Sequence, residues 1–247
     1  MLKVIYQPGG RAQEYNPWAA NLYRGCGHGC VYCYAPLTLK MDRGDFSKPS
    51  PRPEIIKKLI NDCAELRARG DRYNILLCFS CDPYQPINDH YQLTKQAIEI
   101  LHFYGQSVAI LTKGGYRALA DMPLLEEGDE FAVTLTCSDD DLSRQWEPKA
   151  ALPAERIDTL REAKARGLYT WVSLEPVLYP EQSLELIQLT HHFVDEFKLG
   201  KLNYHRHAET IDWNDYAIKA CHLVNKLGKK YYVKEDLRKY LRVRDNR

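Results

Sequence analysis

Three closely spaced cysteines are the residues in this sequence best suited to chemistry. Cys26, Cys30 and Cys33 follow the spacing Cys-x3-Cys-x2-Cys, and glycine occupies every second position from 25 to 29. Glycine has no Cβ and tolerates positive φ, so the backbone of such a segment can fold tightly around a bound object. Three thiolates that converge on one point repel one another unless a cation neutralises them. The segment therefore predicts a metal centre.

Two kinds of metal centre are compatible with three cysteines. A structural zinc site takes four protein ligands, and His28 is the nearest candidate for the fourth. One residue separates His28 from Cys26 and one separates it from Cys30, which is cramped for tetrahedral closure. An iron–sulfur cluster is several ångströms wide, accepts three cysteines from one loop and leaves one iron open. The spacing favours the cluster, with zinc or unrelated core cysteines as the alternatives.

The residues around the cysteines narrow this prediction. Tyr32 directly precedes the last cysteine, and the wider pattern reads Asn21-x-Tyr23-x-Gly25-Cys26-x-His28-x-Cys30-x-Tyr32-Cys33-Tyr34. This pattern resembles the radical S-adenosylmethionine (SAM) superfamily, in the spore photoproduct lyase-like branch that is also described as DNA repair photolyase-like. The resemblance implies a [4Fe–4S] cluster on Cys26, Cys30 and Cys33, with SAM as the second cofactor. It also implies reductive cleavage of SAM to a 5′-deoxyadenosyl radical.

Strand-like and helix-like segments alternate along the rest of the chain. Apolar runs predict strands over 73–80, 107–111, 131–136, 169–174 and 196–199. Apolar residues at helical spacing predict helices over 93–104, 153–166, 182–193 and 213–227. Repeated strand–helix units imply an α/β fold with a parallel sheet and right-handed crossovers. The resemblance implies a partial (β/α)6 TIM-like barrel with the cysteine loop after the first strand.

The chain is interpreted as a single radical SAM domain over 1–247. The core is predicted to span about 16–205, and 206–247 to form a helical, basic C-terminal extension. No apolar run is long enough to span a membrane, and 1–8 lacks the long apolar stretch of a secretion signal. We therefore expect a cytoplasmic location and no membrane partner.

Polar residues follow each predicted strand. Ligands of parallel α/β sheets bind at the carboxyl ends of the strands, so these residues are expected to share one pocket. The segments after the cysteine loop are 81–86, 112–113, 134–138, 173–176 and 198–203. The resemblance extends to the segments 80–86, 112–113 and 147–156.

The resemblance implies which of these residues contact SAM. Tyr32 is expected near the adenine, and Lys113 is expected to pair with the SAM carboxylate as a point charge. Thr136 and Ser138 are candidates for polar contacts with SAM. The alternative for Lys113 is a surface cation near a turn, and which of the two hydroxyl residues points inward stays open.

Glu175 ends an apolar strand and is the remaining candidate for binding SAM. A carboxylate buried at that position needs a partner. The SAM ammonium is one possible partner, and a structural ion pair with Arg156 or Lys198 is the other.

The segment that follows the predicted strand 73–80 contains two candidates for the hydrogen donor of the reaction. A cysteine thiol is a good donor because its S–H bond is weak, and the resemblance implies a donor cysteine near this strand end. Cys81 is the first candidate and Tyr84 the second. The alternative is that Cys78 packs as a small apolar residue and that Cys81 is a turn residue.

Charge leaves the choice of partner open. The net charge is +1, but nine basic and three acidic residues lie between 226 and 247, so this segment carries +6 and the remainder −5. A basic segment suits nucleic-acid phosphates, although a solvated terminal helix is the alternative. The resemblance implies DNA or RNA as partner and an electron donor such as flavodoxin or ferredoxin.

The implied function is lyase-like radical SAM chemistry in nucleic-acid repair or modification. A radical SAM enzyme for a peptide or a small molecule is the first alternative. A non-enzymatic metal-binding module is the second, and it predicts a stable zinc site without SAM binding.

Overall fold

The computed structural model describes residues 2–241, in which β-strands alternate with α-helices. The strands are β1 (Ile5–Tyr6), β2 (Ala19–Ala20), β3 (Tyr23–Arg24), β4 (Ser50–Pro51), β5 (Asn74–Leu77), β6 (Ser107–Thr112), β7 (Glu130–Thr134), β8 (Tyr169–Leu174), β9 (Glu196–Leu199) and β10 (Lys230–Val233). The helices are α1 (Ala35–Thr38), α2 (Arg43–Phe46), α3 (Ile55–Arg69), α4 (Asn88–Tyr91), α5 (Leu93–Phe103), α6 (Asp140–Trp146), α7 (Pro153–Ala165), α8 (Pro180–Thr190), α9 (Trp213–Lys226) and α10 (Glu235–Arg238).

Eight strands form one sheet in the order β1-β2-β5-β6-β7-β8-β9-β10, and β3 pairs with β4 in a second sheet. β1 runs antiparallel to β2, and each other neighbouring pair in the large sheet is parallel. From β5 onward the spatial order follows the chain, as successive strand–helix units with crossovers require. The predicted α/β fold is confirmed, and the sheet is consistent with a partial TIM-like barrel.

Both faces of the sheet are buried, which explains the continuous apolar runs in the sequence. In β6, Val108 and Ile110 pack in the large core with helix α5, where Ile98 and Leu101 are fully buried. Ala109, between them, belongs to a smaller cluster of alternate strand residues. That cluster consists of Ala19, Leu76, Ala109, Ala132 and Trp171.

Local sequence signals set the helix ends. Pro153 begins α7, where the missing N–H of proline costs no hydrogen bond. The Asp212 carboxylate accepts hydrogen bonds from the N–H groups of Asn214 and Asp215 at the start of α9. Gly70 takes a left-handed conformation, φ +76°, where α3 ends. No helix in residues 2–241 is long and apolar enough to cross a membrane.

The C-terminal region differs from the predicted helical extension. After α9, strand β10 pairs in parallel with β9 and adds a strand to the six that were predicted, so the sheet has seven parallel strands in residues 2–241. The sequence Lys-Tyr-Tyr-Val of β10 has high β-propensity. The lysines in and beside it are the reason why this segment was predicted to be a solvated, basic extension. Positions 242–247, which carry part of the predicted basic charge, lie outside the described residues.

Candidate active site

A cavity of about 180 Å³ lies at the carboxyl ends of the parallel strands. Loops that are far apart in sequence contribute to its wall, and the strand ends thus share one cavity. Its polar and sulfur-containing lining residues include Tyr15, Cys26, His28, Cys30, Tyr32, Cys33, Cys78, Cys81, Asp82, Lys113, Thr134 and Glu175.

The cysteine loop begins at Gly25, and any other residue at this position would displace the neighbouring backbone. Gly25 has φ +84°, and a Cβ on it would lie 2.5 Å from the carbonyl oxygen of Phe46. That carbonyl accepts a 2.8 Å hydrogen bond from the N–H of Cys26. The close approach of α2 therefore fixes the start of the loop and the direction of the first cysteine.

The end of the loop is held by one arginine. The Arg43 guanidinium donates hydrogen bonds to the carbonyls of Val31 at 3.0 Å, Cys33 at 2.7 Å and Cys30 at 3.4 Å. A planar guanidinium can satisfy several carbonyls at once, which a lysine cannot do with the same geometry. Arg43 thus sets the backbone between the second and third cysteines.

The three thiols suit a cluster better than a single metal ion. All three line the cavity, and they also line an adjoining hollow. In the described part of the chain, no three His, Cys, Asp or Glu side chains are grouped closely enough to hold a single metal ion. Burial raises the pKa of Cys26 well above its usual range and that of Cys30 to about 12. Such thiols ionise beside a compensating cation, and an iron–sulfur cluster is wide enough to reach all three.

His28 links the cysteine loop to the strand ends instead of acting as a fourth ligand. Its Nδ1 lies 3.1 Å from the carbonyl oxygen of Lys149, and its Nε2 lies 3.3 Å from Asp82 Oδ2. Asp82 also accepts hydrogen bonds from the Thr112 hydroxyl and the Lys113 N–H, each at 2.6 Å. Burial alone would raise the pKa of Asp82, but His28 and these donors outweigh it and hold the pKa well below its usual range.

Asp82→Asn is expected to flatten the dependence of stability on pH in acid. The pKa of Asp82 is depressed in the folded protein, so its ionised form stabilises the fold above its unfolded pKa of about 3.9, and this contribution is lost as the pH falls further. Urea unfolding from neutral pH to about pH 3 measures the effect. The difference in unfolding free energy between the two proteins should shrink with acidification, and a constant difference would contradict the assignment.

Tyr32 is fixed by a buried ion pair behind the cavity. Its hydroxyl donates to Glu147 Oε1, and Glu147 Oε2 accepts a 2.5 Å hydrogen bond from Arg156. Glu147 and Arg156 are each 1% exposed. Arg156 also donates to the carbonyls of Ala151 at 2.8 Å and Thr134 at 3.0 Å. Burial alone would raise the pKa of Glu147, but Arg156 lowers it, so the pair stays charged.

Lys113 extends from the end of β6 toward the cysteine loop. Its Nζ lies 5.8 Å from the centre of the Tyr32 ring. Burial alone would lower the pKa of Lys113, but Cys30, Glu147 and Asp82 around it raise the pKa, so the residue is a cation in the cavity wall. The alternative of a surface cation does not describe this position.

Glu175 has a structural partner that was not predicted. Its carboxylate accepts a 2.5 Å hydrogen bond from the Tyr15 hydroxyl and pairs with the ammonium of Lys234, which follows β10. Neither predicted partner contacts it, because Arg156 pairs with Glu147 and Lys198 donates to the carbonyl of Tyr15. Burial and the nearby Glu175 carboxylate raise the pKa of Tyr15 well above its usual range, so its phenol keeps the proton that it donates.

Gly200→Ala is expected to displace Glu175 and to lower the unfolding free energy by about 1–3 kcal/mol. A Cβ on Gly200 would lie 2.8 Å from both Cγ and Cδ of Glu175. The control is Gly9→Ala, since Gly9 has φ −81° and nothing within 4 Å of a built Cβ. Urea unfolding of both variants provides the measurement, and equal losses would show that Gly200 does not pack against Glu175.

A second cavity, of about 560 Å³, adjoins the first and shares Glu175, Ser80 and Phe79 with it. Its wall is aromatic and basic, with the residues Tyr6, Tyr34, Arg52, Tyr204 and Lys234, of which Tyr34 also lines the first cavity. The rings of Tyr34 and Tyr204 lie 6.1 Å apart and are 38% and 71% exposed. A molecule in this second cavity would meet exposed tyrosines before reaching the cysteine loop.

Comparison with protein families shows the superfamily to which the cavity and the cysteine loop belong. Residues 20–194 match the Radical SAM superfamily. The chain belongs to the radical SAM superfamily. This match covers both the cysteine loop and the strands β5 to β8 that carry the cavity wall. Membership of the radical SAM superfamily implies an enzyme domain that uses SAM and an iron–sulfur cluster.

Sequence relatives support the radical SAM assignment and leave the substrate open. An uncharacterized protein of Mycobacterium tuberculosis is 31% identical over 171 residues, which cover 65% of this chain and 49% of that protein. The match therefore spans about half the length of this relative. A protein of Pseudomonas phage M6, described as a radical SAM Nalpha-GlyT isomerase, is 25% identical over 158 residues, or 62% of this chain and 31% of that protein.

The fold is also that of a solved radical SAM enzyme. A spore photoproduct lyase variant with bound AdoMet and dinucleoside spore photoproduct has a TM-score of 0.72 to this chain at 13% identity. The superposition covers 96% of this chain and 80% of that chain. The similarity confirms the spore photoproduct lyase-like resemblance at the level of the fold.

The structure brings most of the predicted radical SAM site residues into one cavity. Those that line it are Cys26, Cys30, Cys33, Tyr32, Cys81, Lys113 and Glu175. Cys81 is 8% exposed and lies in the cavity wall with Cys78, and both also pack in the large hydrophobic core.

Three predicted residues lie outside the cavity. The buried ring of Tyr84 packs against Gly114, and its hydroxyl hydrogen bonds to Asp121. The Ser138 hydroxyl donates to Glu185 on α8 at 2.6 Å. Thr136 is buried beyond the end of β7 and does not line the cavity. These residues followed their strands in sequence, but the backbone turns after β5 and β7 direct them away.

Sequence reasoning missed three residues that line the radical SAM cavity or, in the case of Lys234, pair with its Glu175. Tyr15 precedes β2, and Lys234 follows β10 in the segment predicted to be an extension. Thr134, the last residue of β7, lines the cavity where Thr136 was expected. The signal that could have found Thr134 is that it is the first polar residue after the apolar run 131–133.

Proposed function

We propose that the protein reductively cleaves SAM at a [4Fe–4S] cluster held by Cys26, Cys30 and Cys33, and repairs or modifies a nucleic acid with the resulting radical. The observation that carries this proposal is the shared cavity of the three cysteines, Lys113 and Glu175, which opens beside an aromatic and basic second cavity. When bound, the cluster supplies the electron that divides SAM into methionine and a 5′-deoxyadenosyl radical.

The chain's own residues provide the SAM site. Lys113 is the half-buried cation suited to the SAM carboxylate, and Glu175 is the carboxylate suited to its ammonium. Glu175 already pairs with Lys234 and accepts from Tyr15, so its carboxylate is held in place before SAM binds. Tyr32, fixed by Glu147, presents its ring to the cavity beside Lys113. A pre-organised site of this kind excludes water from the radical and holds the reactants in position.

The second cavity is suited to a nucleic acid. Arg52 supplies positive charge, and the exposed rings of Tyr34 and Tyr204 offer faces for a base to stack on. Recognition of unpaired bases commonly combines such rings with basic groups for the phosphates. The fold neighbour was solved with a dinucleoside spore photoproduct, which is consistent with this class of substrate.

The test is an anaerobic assay with the reconstituted protein. With SAM and either dithionite or a flavodoxin- or ferredoxin-type donor, the protein is expected to form 5′-deoxyadenosine. Binding of a single-stranded oligonucleotide should weaken steeply as salt rises, because phosphate contacts release counterions. Formation of 5′-deoxyadenosine with salt-independent peptide binding would support the peptide alternative instead, and zinc binding without SAM turnover would support the non-enzymatic module.

Cys81→Ala is expected to uncouple SAM cleavage from substrate turnover. Cys81 lines the cavity, and burial together with the adjacent Cys78 thiol raises its pKa well above the usual range, so it keeps its S–H at neutral pH. Without that hydrogen, the variant should still form 5′-deoxyadenosine while the finished product falls to background. Unchanged product formation would remove Cys81 from the mechanism, and loss of cluster iron would show that the substitution acts on the cysteine loop.

A further inference from the structure

Two cavity cysteines lie outside the cluster motif. Cys78 and Cys81 follow β5 with the spacing Cys-x-x-Cys, and both line the cavity. Their exposed fractions are 4% and 8%, so each thiol is shielded except toward the cavity. Such spacing is typical of cysteine pairs that exchange between dithiol and disulfide.

The turn between these cysteines is held by the side chain of Asn21. The N–H groups of Phe79 and Ser80 both donate to Asn21 Oδ1, at 2.9 Å and 2.7 Å. Asn21 is itself held by a 2.6 Å hydrogen bond from its Nδ2 to the Tyr6 hydroxyl. With the two intervening amides fixed on one acceptor, the chain turns so that Cys78 and Cys81 both line the cavity, and the neighbouring Cys78 side chain is the first cause of the raised pKa of Cys81. The turn thus presents a preformed dithiol to the cavity.

We propose that Cys78 and Cys81 form a redox pair that closes reversibly to a disulfide in the cavity wall. The oxidant is a small-molecule disulfide, which a cysteine of the pair attacks as thiolate. In the exchange, the two protein S–H bonds break and one protein S–S bond forms. The S–S bond of the small disulfide breaks, and its two sulfur atoms leave as thiols that carry the two protons. Each protein sulfur is oxidised by one electron, and each sulfur of the small disulfide is reduced by one.

The consequence rests on the proposed function of Cys81 as hydrogen donor. A closed disulfide has no S–H bond, so the oxidised protein is expected to cleave SAM without completing the reaction on its substrate. Reduction by a small thiol restores both S–H bonds. The pair would therefore link product formation to the thiol–disulfide balance around the enzyme, and would do so without involving the three cysteines of the cluster motif.

The test is thiol exchange on the reconstituted protein, kept anaerobic and equilibrated with graded mixtures of cystamine and cysteamine. Free thiols are then alkylated, and the peptide that carries Cys78 and Cys81 is analysed by mass spectrometry. We expect a form two hydrogen masses lighter and protected at both cysteines, which rises with cystamine and reverts with cysteamine. Full alkylation of both residues at every ratio, or linkage of Cys81 to Cys26, would overturn the proposal.

Variants separate pairing from simple thiol modification. In Cys78→Ser, Cys81 has no partner, so it is expected to carry a cysteamine adduct where the wild type forms the internal disulfide. Cys63→Ser is the matched control, since Cys63 is fully buried on α3 and should leave the exchange unchanged. An internal disulfide with no 5′-deoxyadenosine formation would refute the proposed function while supporting the pair. SAM cleavage with no internal disulfide at any ratio would support the proposed function and refute the redox pair.

Discussion

Replacement of Cys26, Cys30 or Cys33 by serine is expected to strip the protein of nearly all its iron and to abolish 5′-deoxyadenosine formation. The three thiols line one cavity, and each is needed because an open iron already lacks a protein ligand. A serine hydroxyl ionises far less readily than a thiol and is a poor ligand for iron in a sulfide cluster. Iron and sulfide per chain after anaerobic reconstitution, and 5′-deoxyadenosine with excess SAM, measure the two effects.

Two other cysteines provide the controls for this experiment. Cys63 is fully buried on α3, and Cys221 is half-buried on α9, so neither can reach the cavity. Serine at either position is expected to leave iron content unchanged, although Cys63→Ser can lower stability. Full iron retention in a variant of the cysteine motif, or equal loss in the controls, would contradict the assignment of the cluster ligands.

The sequence predicted those parts of the fold whose signal is local. The strands β8 and β9 were predicted with the same bounds that the structure has, 169–174 and 196–199, because each is a continuous apolar run between polar residues. The cysteine loop was recognisable because its chemistry lies in eight consecutive residues. Lys113 and Glu175 were found because they follow such runs directly.

Contacts between segments that are distant in the chain could not be predicted from the sequence pattern. β10 joins the sheet beside β9 across an intervening helix, and its register brings Lys234 against Glu175, about 60 residues away in the chain. Nothing in the pattern around Lys234 distinguishes it from the neighbouring surface lysines. Tyr15 likewise reaches Glu175 from before β2, so the partners of that carboxylate were predicted as Arg156 or Lys198 instead.

Side-chain direction after a strand was the other source of error. The predicted strand 131–136 extended two residues beyond the observed end of β7 at Thr134. Alternation of side chains stops where the strand stops, so Thr136 and Ser138 could not be assigned to the face that Thr134 occupies. The Ser138 hydroxyl is bound by Glu185 from α8, a contact that depends on how that helix packs.

Arg156→Met is expected to lower the free energy of unfolding by about 3–5 kcal/mol, because it leaves the buried Glu147 carboxylate without its cation. Arg156 also holds the carbonyls of Ala151 and Thr134, which lose their hydrogen bonds in the variant. Urea unfolding of the protein without cofactors isolates this effect from binding. Tyr32 loses its fixed partner as well, so SAM affinity of the reconstituted variant is expected to fall.

The pH dependence of Arg156→Met separates the charge of Glu147 from the loss of packing. In the wild type the pKa of Glu147 lies below its ordinary value, so the pair stabilises the fold above the unfolded pKa of about 4.3 and is lost as the pH falls. Without the arginine, burial favours the protonated carboxyl, so stability should rise as the pH is lowered from about 7 to 5. Glu147→Gln in the Arg156→Met background should remove that slope and recover part of the lost stability, since no charge then remains to be buried. A single variant with the wild-type slope, or a double variant less stable than the single, would show that the Arg156 contribution is packing alone.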